Sequence, residues 1–296
     1  MIDFKPIELD KIEEYSKYYN DKEALGCESS FVSGYIWSME YKLGAAILDD
    51  TIIKAYFRTG QVVWGYCMPH GKNVAGAIDA ILADAAERGQ NVVIAYMTKA
   101  EREQLEELYP GRFKYVREPE NQEYIYNSSD LILLEGKKYH AKRNHISKFY
   151  REYGDSVKIE ALDENNISDA LKVFVDWCGE NEIDYRKHGE YQVFKRACDS
   201  FKRLGMKGAV LYVGDKPVAM TAGSAVSPAC FDVMFEKGLR EYDGVYAVIN
   251  NEFAKTLSDY KYINREEDLG IEGLRKAKLS YHPAIIYDRF SAIPND

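Results

Sequence analysis

The stretch from Ala209 to Lys237 limits the fold of this chain more than any other part of it. It holds two apolar runs, joined by Gly214-Asp215-Lys216-Pro217, and then a third run, ACFDVMFEK, over 229–237. Gly-Asp between apolar runs is a hairpin signal, because both residues tolerate the backbone of a tight reversal. Three strands in a meander follow from this, and such a sheet must be covered by helices or by another sheet.

The surrounding sequence supplies the cover. SVKIEAL (156–162) alternates as a strand, and helices are expected over about 167–178 and 190–204. Beyond the meander, 244–257 carries Tyr246, Ile249, Phe253 and Leu257 along one helical face. YKYIN is then a strand, EGLRKAKLSY a helix and AIIYDRFSAI a closing strand. The first half repeats this order more weakly. A helix over 8–19 and the region 29–39 precede the strands GAAILDD, TIIKAYF and QVVWGYC; a helix over about 73–88, VVIAYM, the helix KAEREQLEEL and the strand QEYIYN follow. No residue-level repeat joins the halves, so duplication rests on element order alone. The expected class is α/β (α+β), with an N-terminal domain over 1–135, a connecting helix over 136–154 and a C-terminal domain over 155–296. Each domain is expected to be a mixed, mostly antiparallel sheet flanked by helices.

With 296 residues the chain can bury two cores. A net charge of −9 argues against a protein that coats nucleic acid. No apolar run approaches the roughly 18 residues a bilayer span needs. The start, MIDFKPIELDKIEEY, is acidic and lacks an apolar signal region, so a cytoplasmic location is expected. Cys27, Cys67, Cys178, Cys198 and Cys230 show no CxxC spacing and read as reduced core thiols.

One stretch runs against the net charge. KKYHAKRNHISKFYR (137–151) holds six Lys or Arg and two His without an acid. Tyr139, Ile146, Tyr150 and Tyr153 fall near one face, so an amphipathic packed helix is expected, with Lys142 and Arg143 at the border. It serves either as a connector paired with the acidic body or as a phosphate clamp, in which Arg143 offers the planar fork suited to bidentate binding. His140 and His145 are five apart, which misses the spacing of a helical metal pair, and no metal site is expected. Near the C-terminus, Ile271, Leu274, Lys278 and Tyr281 share a stripe, so Lys278 either snorkels to solvent or faces a substrate anion. Glu267 and Asp268 precede that helix, where acids stabilise the dipole, bind an acceptor amine or, for Glu267, act as general base. Neither a G-x-S-x-G elbow nor a P-loop is present.

The element order resembles the acyltransferase fold of the Gcn5-related N-acetyltransferases, in two tandem copies. Lys142, Arg143, Asn144, Ile146 and Lys148 resemble a basic segment of Fem-type peptidyltransferases. YINREEDLGIEGLRKAKLSYHP (262–283) resembles the signature of a tandem family related to the C-terminal domain of phosphatidylglycerol lysyltransferases. Asn264, Glu267, Asp268, Gly270, Gly273, Leu274, Arg275, Lys278, Ser280, Tyr281 and Pro283 carry that match. The resemblance implies aminoacyl transfer from aminoacyl-tRNA, whose acceptor end would be a partner, to an amine or hydroxyl in a cleft between the halves. The acceptor would be a small molecule or a peptide amine. Glu267 and Asp268 are then the expected catalytic residues, and Lys142, Arg143, Asn144, Asn264, Arg275, Lys278 and Tyr281 the expected substrate-binding ones. The lysyltransferases carry a large membrane-spanning region and this sequence does not, which counts against phosphatidylglycerol as acceptor. An acyl-coenzyme A-dependent N-acyltransferase is the alternative, with Arg240 and Gly244 at the cofactor. Gly238 and Gly244 are separated by bulky residues, and Gly71 and Gly76 flank Lys72, so neither segment is a compact phosphate loop. A ligand-binding protein that keeps the fold without the reaction is the third reading.

Overall fold

The computed structural model describes residues 1–58 and 62–295. Seven strands open the chain: β1 (Lys5–Pro6), β2 (Leu43–Leu48), β3 (Thr51–Phe57), β4 (Val63–Cys67), β5 (His70–Gly71), β6 (Ile94–Met97) and β7 (Phe113–Arg117). All belong to one sheet. The next seven, β8 (Glu123–Asn127), β9 (Val157–Ala161), β10 (Lys207–Val213), β11 (Lys216–Ser227), β12 (Cys230–Gly238), β13 (Tyr262–Asn264) and β14 (Ile285–Tyr287), form the second. The last strand, β15 (Phe290–Pro294), crosses back into the first sheet between β6 and β7.

The expected meander is present. Val213 pairs with Lys216 across Gly214, whose φ of 61° is the left-handed turn conformation that glycine adopts without strain. Helices α1 (Ile167–Glu180) and α2 (Gly189–Asp199) cover one face, burying Val173, Phe174, Val193 and Phe194 with Met220, Ala222 and Phe235. Helix α3 (Val245–Lys255) covers the other with Val248, Ile249 and Phe253. Residues Phe31, Tyr35 and Ile36 of a short helix over Phe31–Trp37 join the first of these cores, so apolar packing runs continuously between the halves.

Several expectations shift. The closing strand is two strands in different sheets, broken at Asp288–Arg289. QEYIYN pairs in the second sheet, with β13 and β14. The two sheets therefore exchange a strand across the division expected near 135. Arg289, ahead of β15, forms a buried ion pair with Glu123 at the start of β8, which locks the exchange. The expected helix 8–19 is only a 3-10 turn and Ile12–Ser16, and helix 190–204 ends at Asp199. Phe113–Arg117 and the helix Ser128–Leu133 gave no clear periodic signal. Gln61, first residue of the expected strand QVVWGYC, lies outside the described residues; the observed strand starts at Val63. The basic stretch is a 3-10 turn followed by a helix, His140–Tyr153; the turn packs Tyr139 and the helix packs Phe149 into the α3 core.

Candidate functional site

Strands β12 and β13 run parallel only from Cys230–Tyr262 to Asp232–Asn264 and then part. The loop leaving β13 turns sharply, with Glu266 and Leu269 both at φ 53°. A left-handed backbone is costly for residues with side chains, so two within four residues require outside support. Buried groups provide it. Asp268 accepts from the Tyr124 hydroxyl, from Gly270 N–H at 2.8 Å and from Arg275 Nε at 2.7 Å and Nη2 at 2.9 Å. Lys278 Nζ donates to the carbonyls of Arg265 and Glu267. Asn264 accepts from Glu266 N–H at 2.7 Å and donates to Leu25 of the first half at 2.9 Å.

This scaffold presents two neighbouring carboxyls. Among the described residues Glu266 has no side-chain hydrogen bond or ion pair, and Glu267 has only its own backbone N–H. Burial raises the proton affinity of both, reinforced at Glu266 by Asp232 and at Glu267 by Glu123. Asp232 itself is fully buried and neither of its oxygens has a partner. Burial, with Glu123 behind it, favours its uncharged acid. Nearby cations are already engaged, Arg289 by Glu123 and Lys278 by the loop carbonyls. Lys278 is pulled down to about 8, chiefly by burial.

The first half closes the groove with aromatic rings. The Tyr41 hydroxyl is pushed up by burial and then by Glu267 and Glu266; Tyr96, pushed up by burial and then Glu28, also feels Glu267. Trp64 lies 5.9 Å from Tyr96 and Trp37 5.2 Å from Tyr41, ring centre to ring centre. Tyr96 adopts φ 58°, so strain is stored on both sides of the groove. A depression of 390 Å³ lined by Tyr41, Phe57 and Trp64 together with Glu40, Lys42 and Arg58 adjoins it. Unpaired acids beside aromatic faces suit an ammonium group. A carboxyl with raised proton affinity is also suited to take a proton from an amine near neutral pH.

The sequence-derived candidates fall in three places. Glu267 lines the groove. Asn264, Asp268, Arg275 and Lys278 build its support: burial opposes ionisation of Asp268, but Arg275 and Tyr124 outweigh it and hold the carboxyl below its usual range. Lys278 therefore neither snorkels nor faces open solvent, being 7% exposed. Lys142 and Tyr281 meet elsewhere, at the fork where β12 and β13 part, with Nζ 3.8 Å from the ring centre. The remaining four lie apart from both. Arg143 donates to the carbonyls of Leu134 and Gly136, capping the helix Ser128–Leu133, whose last carbonyls lack helical partners. Asn144 bonds His140 at 3.1 Å on the exposed face. The Arg240 backbone N–H donates to the Glu180 carboxylate and its guanidinium to the Asn181 side-chain oxygen. Gly244, at φ 91°, is needed because a Cβ there would sit 2.7 Å from the His145 carbonyl oxygen. Its role is close helix packing.

Glu266, Asp232, Tyr41 and Tyr96 did not stand out in the sequence. Asp232 left a signal, a lone acid inside the apolar strand ACFDVMF, where burial without a partner is costly. The strained backbone of Tyr96 left none.

The family described as phosphatidylglycerol lysyltransferase, C-terminal, matches residues 20–293. A conserved protein of unknown function from Bacteroides thetaiotaomicron VPI-5482 is 34% identical, with TM-score 0.92 and full coverage of both chains. L-PGS from Bacillus licheniformis superposes with TM-score 0.67 at 14% identity, over 98% of this chain and 92% of that one. FemX gives 0.58 at 8% identity, over 98% and 97%. These two likenesses show a shared fold, the tandem acyltransferase-like arrangement expected from the element order. An uncharacterized protein from Mycoplasmoides gallisepticum is 23% identical over 168 residues, 56% of this chain and 54% of that relative, so the match spans about half the relative's length. No helix among the described residues is long and apolar enough to cross a membrane.

Proposed function

The chain belongs to the phosphatidylglycerol lysyltransferase C-terminal family, and on that premise we propose that it transfers an aminoacyl group from aminoacyl-tRNA to an amine or hydroxyl acceptor in the groove between its halves. The observation that carries this reading is the pair of unpaired carboxyls, Glu266 and Glu267, held on a strained loop opposite Tyr41 and Tyr96.

In this reading Glu266 and the aromatic rings hold an ammonium group, and Glu267 is the general base. The acceptor nitrogen or oxygen attacks the ester carbonyl carbon, forming the new bond as the bond to the ribose oxygen breaks. Glu267 takes the acceptor proton and returns it to the departing ribose oxygen, so no acyl-enzyme is needed. Asp268 and Arg275 are positioning residues, acting through the loop. The packing role of Gly244 gives coenzyme A no comparable support.

The test is transfer from a pool of aminoacylated tRNAs to amine and hydroxyl acceptors, read by mass spectrometry. Glu267→Gln should lower kcat by about 10²-fold or more, in the range usual for lost acid–base catalysis, while donor affinity stays unchanged. Transfer that persists in Glu267→Gln, or no transfer from any charged tRNA, defeats the reading.

A further inference from the structure

A second polar cluster lies at the fork beyond Asp232–Asn264, on the side facing the basic helix. Arg265 is the first residue past the parallel pairing, and its Nη2 donates to Glu236 at 2.7 Å. Its Nη1 is buried without an acceptor. Beside Arg265, Lys142 reaches in from the basic helix. The Tyr281 ring serves both cations, its centre 3.8 Å from Lys142 Nζ and 5.0 Å from Arg265 Cζ. Asn250 donates to Glu236 at 3.3 Å, and its own oxygen is buried without a donor.

The charges do not balance. Two cations share one carboxylate, and Glu236 is already bonded to Arg265 and Asn250. Lys142 forms no ion pair among the described residues, while its neighbour Lys148 pairs with Asp243 at 2.6 Å. Burial, and then repulsion from Arg265, lowers Lys142 to about 8, with only Glu236 opposing. A desolvated cation facing another cation, beside a guanidinium nitrogen that lacks its acceptor, is a poor arrangement for stability alone. An oxyanion would answer the defects at the two cations together: it gives Nη1 an acceptor, gives Lys142 a counter-charge and turns mutual repulsion into shared attraction.

We propose that Lys142 and Arg265, seated on Tyr281, form a binding site for a phosphate oxyanion, separate from the acidic groove. The sequence alone paired Lys142 with Arg143. The fold gives Arg143 to a helix end and brings Arg265 to Lys142 from 123 residues away along the chain. This site does not depend on the transfer reaction proposed above, although Arg265 and the two groove carboxyls follow one another on the same loop.

Calorimetric titration of the whole protein with inorganic pyrophosphate, adenosine monophosphate and acetate tests it. Saturable, one-site binding of either phosphate compound is expected, tighter than acetate, and the tighter of the two identifies whether a nucleotide carries the phosphate. Lys142→Met should weaken it about tenfold, the effect of losing roughly one charge-assisted bond. Lys142→Arg should restore it, and Lys148→Met, one helical turn and a half away, should leave it unchanged. Arg265→Lys keeps the charge opposite Glu236 but removes the second guanidinium nitrogen, and should weaken binding as well. Melting temperatures near wild type for these variants separate lost binding from lost folding. No saturable phosphate binding, an equal loss in Lys148→Met, or binding untouched by Lys142→Met and Arg265→Lys overturns the site.

Discussion

The two sheets follow the same pairing path: an edge strand, a three-strand meander, a parallel neighbour and two more antiparallel strands. They differ where the parallel pair parts. In the first sheet, beyond Cys67–Ala95, Met68 and Met97 are buried in an apolar core. Thr98 then closes the helix Lys99–Leu108 with a reciprocal capping box to Glu101. In the second sheet the same place holds Arg265, Glu266 and Glu267, with Glu236 across the fork and several polar atoms lacking partners. One copy builds its fork from apolar packing and a helix cap, beside a 540 Å³ cavity lined by His70, Thr98 and Glu101. The other keeps its fork polar at a cost in stability, and unmatched polar groups of this kind gather where a protein binds or reacts.

The severest way to break this comparison is to cut the joint the copies share. Arg289→Met strands Glu123 as an unpaired buried charge and should cost about 3–5 kcal/mol, seen as a large drop in urea midpoint. The next contrast is catalytic: Glu267→Gln should remove most transfer activity, whereas Glu101→Gln, in the capped fork, should lower only the melting temperature. Asp268→Asn should cost about 1.5–3 kcal/mol by weakening charge-assisted bonds to Arg275 and Tyr124. Because its folded affinity for protons is depressed, the stability it contributes is present above the unfolded carboxyl range and lost as pH falls through the folded value. Thr98→Ala should cost about 1 kcal/mol with transfer intact, the usual loss of an N-cap.

The smallest effect has the opposite sign. Asp232 has a raised folded proton affinity, so it removes stability as pH climbs above the unfolded carboxyl range. Asp232→Asn keeps the shape of the neutral acid and should flatten that decline in urea titrations run above the unfolded carboxyl range. A decline as steep as wild type would place the titrating group elsewhere, at Glu266 or Glu267.

Local signals carried much of the fold. The Gly214-Asp215 reversal, the apolar stripe of α3 and the packed basic helix are set by neighbours within a few residues, so periodicity reveals them. The strand exchange is not local. β8 and β15 alternate as any strand does, and nothing in their own residues says which sheet receives them. The site divides the same way. Glu267 stands out within a dense motif, but the fates of Arg143 and Arg240 depend on carbonyls and amides that only the folded chain brings near. Tyr41 and Tyr96 matter because of acids more than 150 residues away along the chain.

The exchanged strands also bear on synthesis at the ribosome. The first sheet keeps a gap between β6 and β7 until residues 290–294 have been made. Until then the first half has two unpaired strand borders of the kind that invite pairing with another chain. A nascent chain released short of residue 290 should expose that gap permanently, making truncated products prone to aggregate where the full chain is not.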